Sequence, residues 1–172
     1  MDARPVRVEE ADHTLRPDRV RPELWRNGLG ATRELASGAD AAGRIVWRIS
    51  VASLDGPAPF SAFPGIDRLF VALGPVRLIV DGESRSLAPG EEWRFAGEAH
   101  VECSVDSPTQ ALNVMTQRGA ARAGVVIRRR DRRGTSADFT VDLGDVAADI
   151  RIDVASGSGW HPATTRGVDA SQ

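Results

Sequence analysis

The chain has no lysine; all 22 of its basic residues are arginines. They are balanced by 24 acids to a formal charge of −2, which gives no global electrostatic support for nucleic-acid binding. The one basic run, Arg128–Arg130 with Arg132 and Arg133, is broken by Asp131 and reads as a solvated strand end. A single cysteine, Cys103, excludes an internal disulfide and falls short of any zinc-knuckle spacing. The three histidines, His13, His100 and His161, are never paired at i, i+2 or i, i+4, so no metal site and no cofactor is expected. No stretch approaches the roughly 20 apolar residues of a membrane helix. The start, MDARPVRVEEADH, carries acids and no apolar block, which does not read as a secretory signal, and the expected location is the cytoplasm. No segment holds a 3.6-residue apolar period for three turns, and Pro17 and Pro22 limit helix near 16–24 to a turn or two.

What is present is strand and turn. Residues 45–54, IVWRISVASL, put Trp47, Ile49 and Val51 on one face and Arg48 and Ser50 on the other. Apolar runs at 69–73 and 76–80 flank Gly74-Pro75. Asp81-Gly82 signals a hairpin returning through 83–87, and Pro89-Gly90 turns the chain into 92–95. Further strands are expected at 100–105, 109–116, 125–130, 138–143 and 149–154, the spacing of an all-β sandwich or barrel. The domain is placed at 1–154. Residues 155–172, rich in Ala, Ser, Gly and Thr, are expected to be a flexible tail, in which Trp160 is the one candidate anchor.

Several polar residues stand out against this pattern. Arg48 can hold a carboxylate through two parallel hydrogen bonds; the alternatives are a solvent-facing side chain or one paired to an internal acid. Asn113, one of only two asparagines, sits in the apolar strand ALNVM and shares a face with Met115. A buried amide needs partners, either a ligand or neighbouring backbone. The other asparagine, Asn27, precedes Gly28, where a turn alone explains it. Thr32 and Arg33 follow on a short strand, where one of them points inward or Arg33 and Glu34 form a surface charged pair. Phe60–Gly65 reads as a loop with aromatic anchors, in which Ser61 donates to a ligand or caps its own backbone. Arg68 either pairs with Asp67 or faces a cavity as a second carboxylate partner. Trp25 packs or covers a pocket mouth. No nucleophile-elbow sequence is present, and the acid–base candidates His100 and Glu98 assemble into no reaction centre, so no catalytic residue is expected.

Five blocks together resemble the HutD/Ves family. They are Trp25-Arg26-Asn27-Gly28-Leu29-Gly30-Ala31-Thr32-Arg33-Glu34, Trp47-Arg48-Ile49-Ser50, Phe60–Arg68, Phe95-Ala96-Gly97-Glu98, and Asn113-Val114-Met115 with Arg118-Gly119. Leu29 stands where the family usually has glycine. The resemblance spans 25–119 and fades beyond 120. It implies an all-β, cupin-like double β-barrel with little helix, and a link to bacterial histidine utilisation. It also implies sensing rather than turnover of a carboxylated intermediate such as N-formylglutamate or urocanate. On that reading Arg48 and Arg68 neutralise the carboxylate, Asn113, Ser50 and Ser61 orient polar groups, Phe60 and Met115 form apolar walls, and Asn27 and Trp25 sit at the mouth. The alternatives are a hydrolase or isomerase of a small carboxylated metabolite, or a protein-interaction module. A homodimer is compatible with open barrel edges.

Overall fold

At Asp81-Gly82 the backbone takes φ of 48° and 86°, the mirror-image turn that glycine tolerates and that matches the twist of paired strands. Turns of this kind divide the chain into short strands. The computed structural model describes residues 13–155 and 160–163. The strands, in chain order, are β1 (Thr14–Leu15), β2 (Glu23–Leu24), β3 (Gly30–Asp40), β4 (Ile45–Leu54) and β5 (Ala58–Pro59). They continue with β6 (Ile66–Ala72), β7 (Val76–Val80), β8 (Glu83–Leu87), β9 (Glu92–Ala96) and β10 (Val101–Ser104). The last are β11 (Thr109–Gln117), β12 (Ala121–Arg129), β13 (Phe139–Asp142), β14 (Val146–Val154) and β15 (Trp160–Ala163). The one helical element among the described residues is a 3-10 turn at Pro17–Arg19, in the window the prolines had limited.

These strands form three layers. The central sheet has the order β15-β3-β4-β11-β6-β9, with β2 added beside β3. A front sheet of order β5-β10-β7-β8 covers one face and a back sheet of order β1-β13-β14-β12 covers the other. The sheets are open, so the double barrel expected from the family resemblance takes the form of two sandwiches sharing one sheet. The fold class is all-β, as expected. All paired strands are antiparallel except β1 with β13.

Strand alternation explains the layering. On β4, Trp47, Ile49 and Val51 point back and join Leu112, Val114, Leu69, Val71 and Ile150 in one core. The intervening positions point forward, where Ala52, Leu54, Phe70, Ala72 and Ala111 pack on Leu78, Val101 and Cys103 in a second core. Each large side chain buried in this way contributes on the order of 1.5–3 kcal/mol. Because both faces of the central sheet are covered, its strands have no purely solvent-facing side.

The front strands are short, two to five residues, whereas β3, β4 and β11 run nine to eleven. The front sheet therefore covers only the Ala52–Ala111–Ala72 end of the central sheet. The opposite end, holding Arg48 and Arg68, is covered by the 59–63 loop and the segment 23–27 instead.

The interval expected to be a flexible tail contributes β15, whose backbone pairs with β3 from Trp160↔Asp40 to Ala163↔Ser37. Residues 156–159 and 164–172 of that interval lie outside the described residues. Arg128–Arg130 ends β12 with each arginine beside an acid: Asp149, Asp131 and Asp142 respectively.

Candidate functional site

Register assembles the site. Met115 on β11 lies opposite Arg48 on β4 and Arg68 on β6, giving a row Arg48–Met115–Arg68 across three strands. The next row is Ser50–Asn113–Phe70. Two strand spacings separate the backbones of Arg48 and Arg68, about 10 Å. All nine residues named from the sequence, Trp25, Asn27, Arg48, Ser50, Phe60, Ser61, Arg68, Asn113 and Met115, line one cavity of about 470 Å³.

Arg68 is its most constrained member. The residue is only 6% exposed, yet no carboxylate lies within ion-pair distance among the described residues. Its Nη2 donates to Asn113 Oδ1 at 3.2 Å and its Nη1 to the Ser61 carbonyl at 3.5 Å. Its Nε has no hydrogen-bond partner among the described residues. The rings of Phe60, Phe95 and Phe63 surround the guanidinium, with centroids 5.0, 5.4 and 5.8 Å from Cζ. Such a cage offsets part of the lost hydration through attraction to the ring faces. Burial, and then the nearby charge of Arg48, push the Arg68 guanidinium down to about 10, so it stays a cation at neutral pH. The sequence alternative of an Asp67–Arg68 pair does not form. Asp67 points away and pairs with Arg118 at 2.8 Å.

Arg48 is the less free of the two. Its Nε lies 2.9 Å from Glu34 Oε2, both side chains being partly buried. The N–H does not aim along that contact, so the pair is electrostatic without a hydrogen bond at Nε. A bulge on β3 brings the acid there. Glu34 pairs with Ser50, Ala36 with Ile49 and Ser37 with Arg48, which leaves Leu35 as the extra residue. Leu35 and Ala36 both enter the back core, while Glu34 and Ser37 both face the site. Ser37 Oγ donates to Glu34 Oε1 at 3.3 Å.

The other positions divide by how free their polar atoms are. Asn113 is 4% exposed; its carbonyl is taken by Arg68 and its NH2 donates to no described residue. Ser50 is 3% exposed, and its hydroxyl makes no hydrogen bond to a described residue. Ser61 offers Arg68 its backbone carbonyl, while its side chain is exposed. Asn27 uses its side-chain oxygen to accept from the Leu29 N–H at 3.0 Å, closing its own turn at the mouth. Trp25 Nε1 donates to Thr32 Oγ1 at 2.8 Å, and its ring stands edge-on to Phe60 at 5.9 Å. That placement depends on Gly30. A Cβ there would lie 2.7 Å from the Ser53 carbonyl and 2.9 Å from the Trp25 ring.

Thr32, Glu34, Phe63 and Phe95 belong to this region but were not assigned from sequence. The signal for each is its cross-strand neighbour, visible only once register is known: Arg68 lies opposite Phe95, and Ser50 opposite Glu34. The acid–base candidates do not join the cavity. His100 pairs with Glu102 at 3.0 Å on the front sheet. Glu98 is held by two bonds from Arg118, which pull its carboxyl down to about 2. No group of His, Cys, Asp and Glu that could hold a metal occurs among the described residues. A second cleft, of about 690 Å³, runs beside β9, β12 and β14. Arg68 also borders this cleft; the other arginines there, Arg94, Arg122 and Arg151, are exposed, and Arg94 and Arg151 already donate to the carbonyls of Ala123 and Ser136.

Comparison with known proteins places the chain. A family model described as HutD matches residues 17–161. The protein Ves of Citrobacter koseri (strain ATCC BAA-895 / CDC 4225-83 / SGSC4696) is 33% identical over 149 residues, 80% of this chain and 77% of that protein. The structure of HutD from Pseudomonas fluorescens SBW25 (formate condition) aligns with a TM-score of 0.65 at 21% identity, covering 82% of this chain and 97% of that one. A conserved protein of unknown function from Pseudomonas aeruginosa PAO1 aligns with a TM-score of 0.60 at 22% identity, with the same coverage. At these identities the two structures establish a shared fold.

Proposed function

The chain belongs to the HutD family, and from that premise we propose that it binds a small carboxylated metabolite in the cavity between Arg48 and Arg68. The binding event modulates histidine utilisation in the cytoplasm, with N-formylglutamate and urocanate as the leading candidates. One observation carries the reading: Arg68 is a buried cation with no acid among the described residues to neutralise it. A desolvated guanidinium is costly to keep, and a ligand carboxylate replaces the hydration it has lost. The surroundings suit such a ligand, with an Asn113 NH2 and a Ser50 hydroxyl that no described residue engages and apolar walls from Phe60 and Met115.

Binding is favoured over turnover because neither His100 nor Glu98 reaches the cavity. Calorimetric titration of the full chain with N-formylglutamate and with urocanate tests the proposal. Saturable binding that disappears in Arg68→Met supports it. Absence of saturation with both compounds overturns it.

A further inference from the structure

Behind its lip the cavity displays two arginines, Arg48 and Arg68, but its charge is not two. Arg48 already faces Glu34 at 2.9 Å, and Glu34 is held in turn by the Ser37 hydroxyl. The bulge at Leu35 places both of these residues on the site face, so the acid is built into the backbone path of β3. At the lip, Glu23 and Arg26 are exposed and of opposite sign. Arg68 and Arg48 line the interior and Glu34 stands against Arg48 from beside the lining, so the three together carry a net single positive charge.

A ligand carboxylate that docks on Arg68 completes that balance and leaves the Arg48–Glu34 pair intact. A second carboxylate would have to expel Glu34 from Arg48 or lie beside it with the same sign. Either route costs more in a partly desolvated cavity than in water. The remaining groups available to the ligand, the Asn113 amide, the Ser50 hydroxyl and Met115, are neutral.

We infer that Glu34 is a specificity-determining residue that restricts the cavity to ligands bearing one carboxylate. The inference rests on the carboxylate-binding reading above and narrows it. Urocanate has one such group; N-formylglutamate has two.

The test compares glutarate with glutaramate, which share a carbon chain and differ by one carboxylate turned into an amide. Both are titrated, to millimolar concentration, into the wild-type chain and into Glu34→Gln. Glutamine keeps the size of the side chain and an oxygen for the Ser37 hydroxyl. The wild type is expected to bind glutaramate at least as tightly as glutarate. In Glu34→Gln the ratio should move toward glutarate by about tenfold, which a general loosening of the site would not produce. A wild type that prefers glutarate by about tenfold overturns the inference even if the variant does not fold. A folded variant with an unchanged ratio overturns it as well. Those two results leave the carboxylate site standing. No saturation by either compound in either protein overturns the site and the inference together.

Discussion

Arg68 and Asn113 lie on adjacent strands one row apart, and the arginine reaches diagonally so that its Nη2 meets the amide oxygen at 3.2 Å. The bond has two effects. It gives a buried guanidinium a partner without neutralising it. It also fixes the amide so that its NH2 is left for something else. A site that holds a charge this way trades stability for readiness.

That trade predicts opposite changes in two measurements. Arg68→Met should weaken carboxylate binding by about 100-fold. The same variant should raise unfolding stability by about 1 kcal/mol, because a desolvated charge is replaced by an apolar side chain of similar length. Denaturant titration and calorimetry on one preparation read both.

Asn113→Asp should imitate a bound ligand. The new carboxylate would stand where Arg68 Nη2 already makes its 3.2 Å contact. Binding of external carboxylates should disappear while the circular dichroism spectrum stays unchanged. Retained wild-type affinity in this variant would argue that Arg68 is not the anchor.

Gly30→Ala should disturb the mouth rather than the floor. Its methyl would meet the Ser53 carbonyl, which cannot retreat, and the Trp25 ring, which can. A cost of about 2 kcal/mol in stability is expected. Tryptophan fluorescence should shift to the red as Trp25 loses its contact with Phe60, and ligand affinity should fall.

Away from the cavity, Asp149 holds the back sheet's far end. It is 2% exposed and accepts from Arg128 at Nε and Nη2, from the Thr135 N–H and hydroxyl, and from the Thr140 hydroxyl. Burial works against its charge, but the bonds from Arg128, Thr135 and Thr140 prevail and bring its carboxyl down to about 2. A carboxyl lowered on folding stabilises above its unfolded value and loses that contribution as pH falls through the folded one. Asp149→Asn should therefore cost about 2 kcal/mol at neutral pH. The gap between wild type and variant should close between about pH 4 and pH 2. Urea unfolding across that range measures it.

Much of this was legible in the residues. The period-two pattern of 45–54 fixed β4 to the residue and assigned Trp47 and Arg48 to opposite faces, because burial demands differ sharply between them. β3 was seen only as a fragment near Thr32. Its second half, ASGAD, is small and polar with no apolar alternation, and the strand forms because β4 supplies a partner along its length. Glu34, legible only as a surface partner of Arg33, pairs with Arg48 instead for a related reason. Its facing depends on a bulge, and a one-residue insertion changes which side every later residue meets. The aromatic cage was half visible: Phe60 could be named from its loop, but Phe95 needed the β6–β9 register to bring it to Arg68.

The shared central sheet has an evolutionary corollary. Even positions of β4, such as 48 and 50, face the cavity, while odd ones, such as 47 and 49, are locked into the opposite sandwich. Substitutions can therefore retune recognition along every second residue without touching the hydrophobic interior behind. One polypeptide ribbon thus supports two independent selective pressures, one on the shape of the cavity and one on the common skeleton.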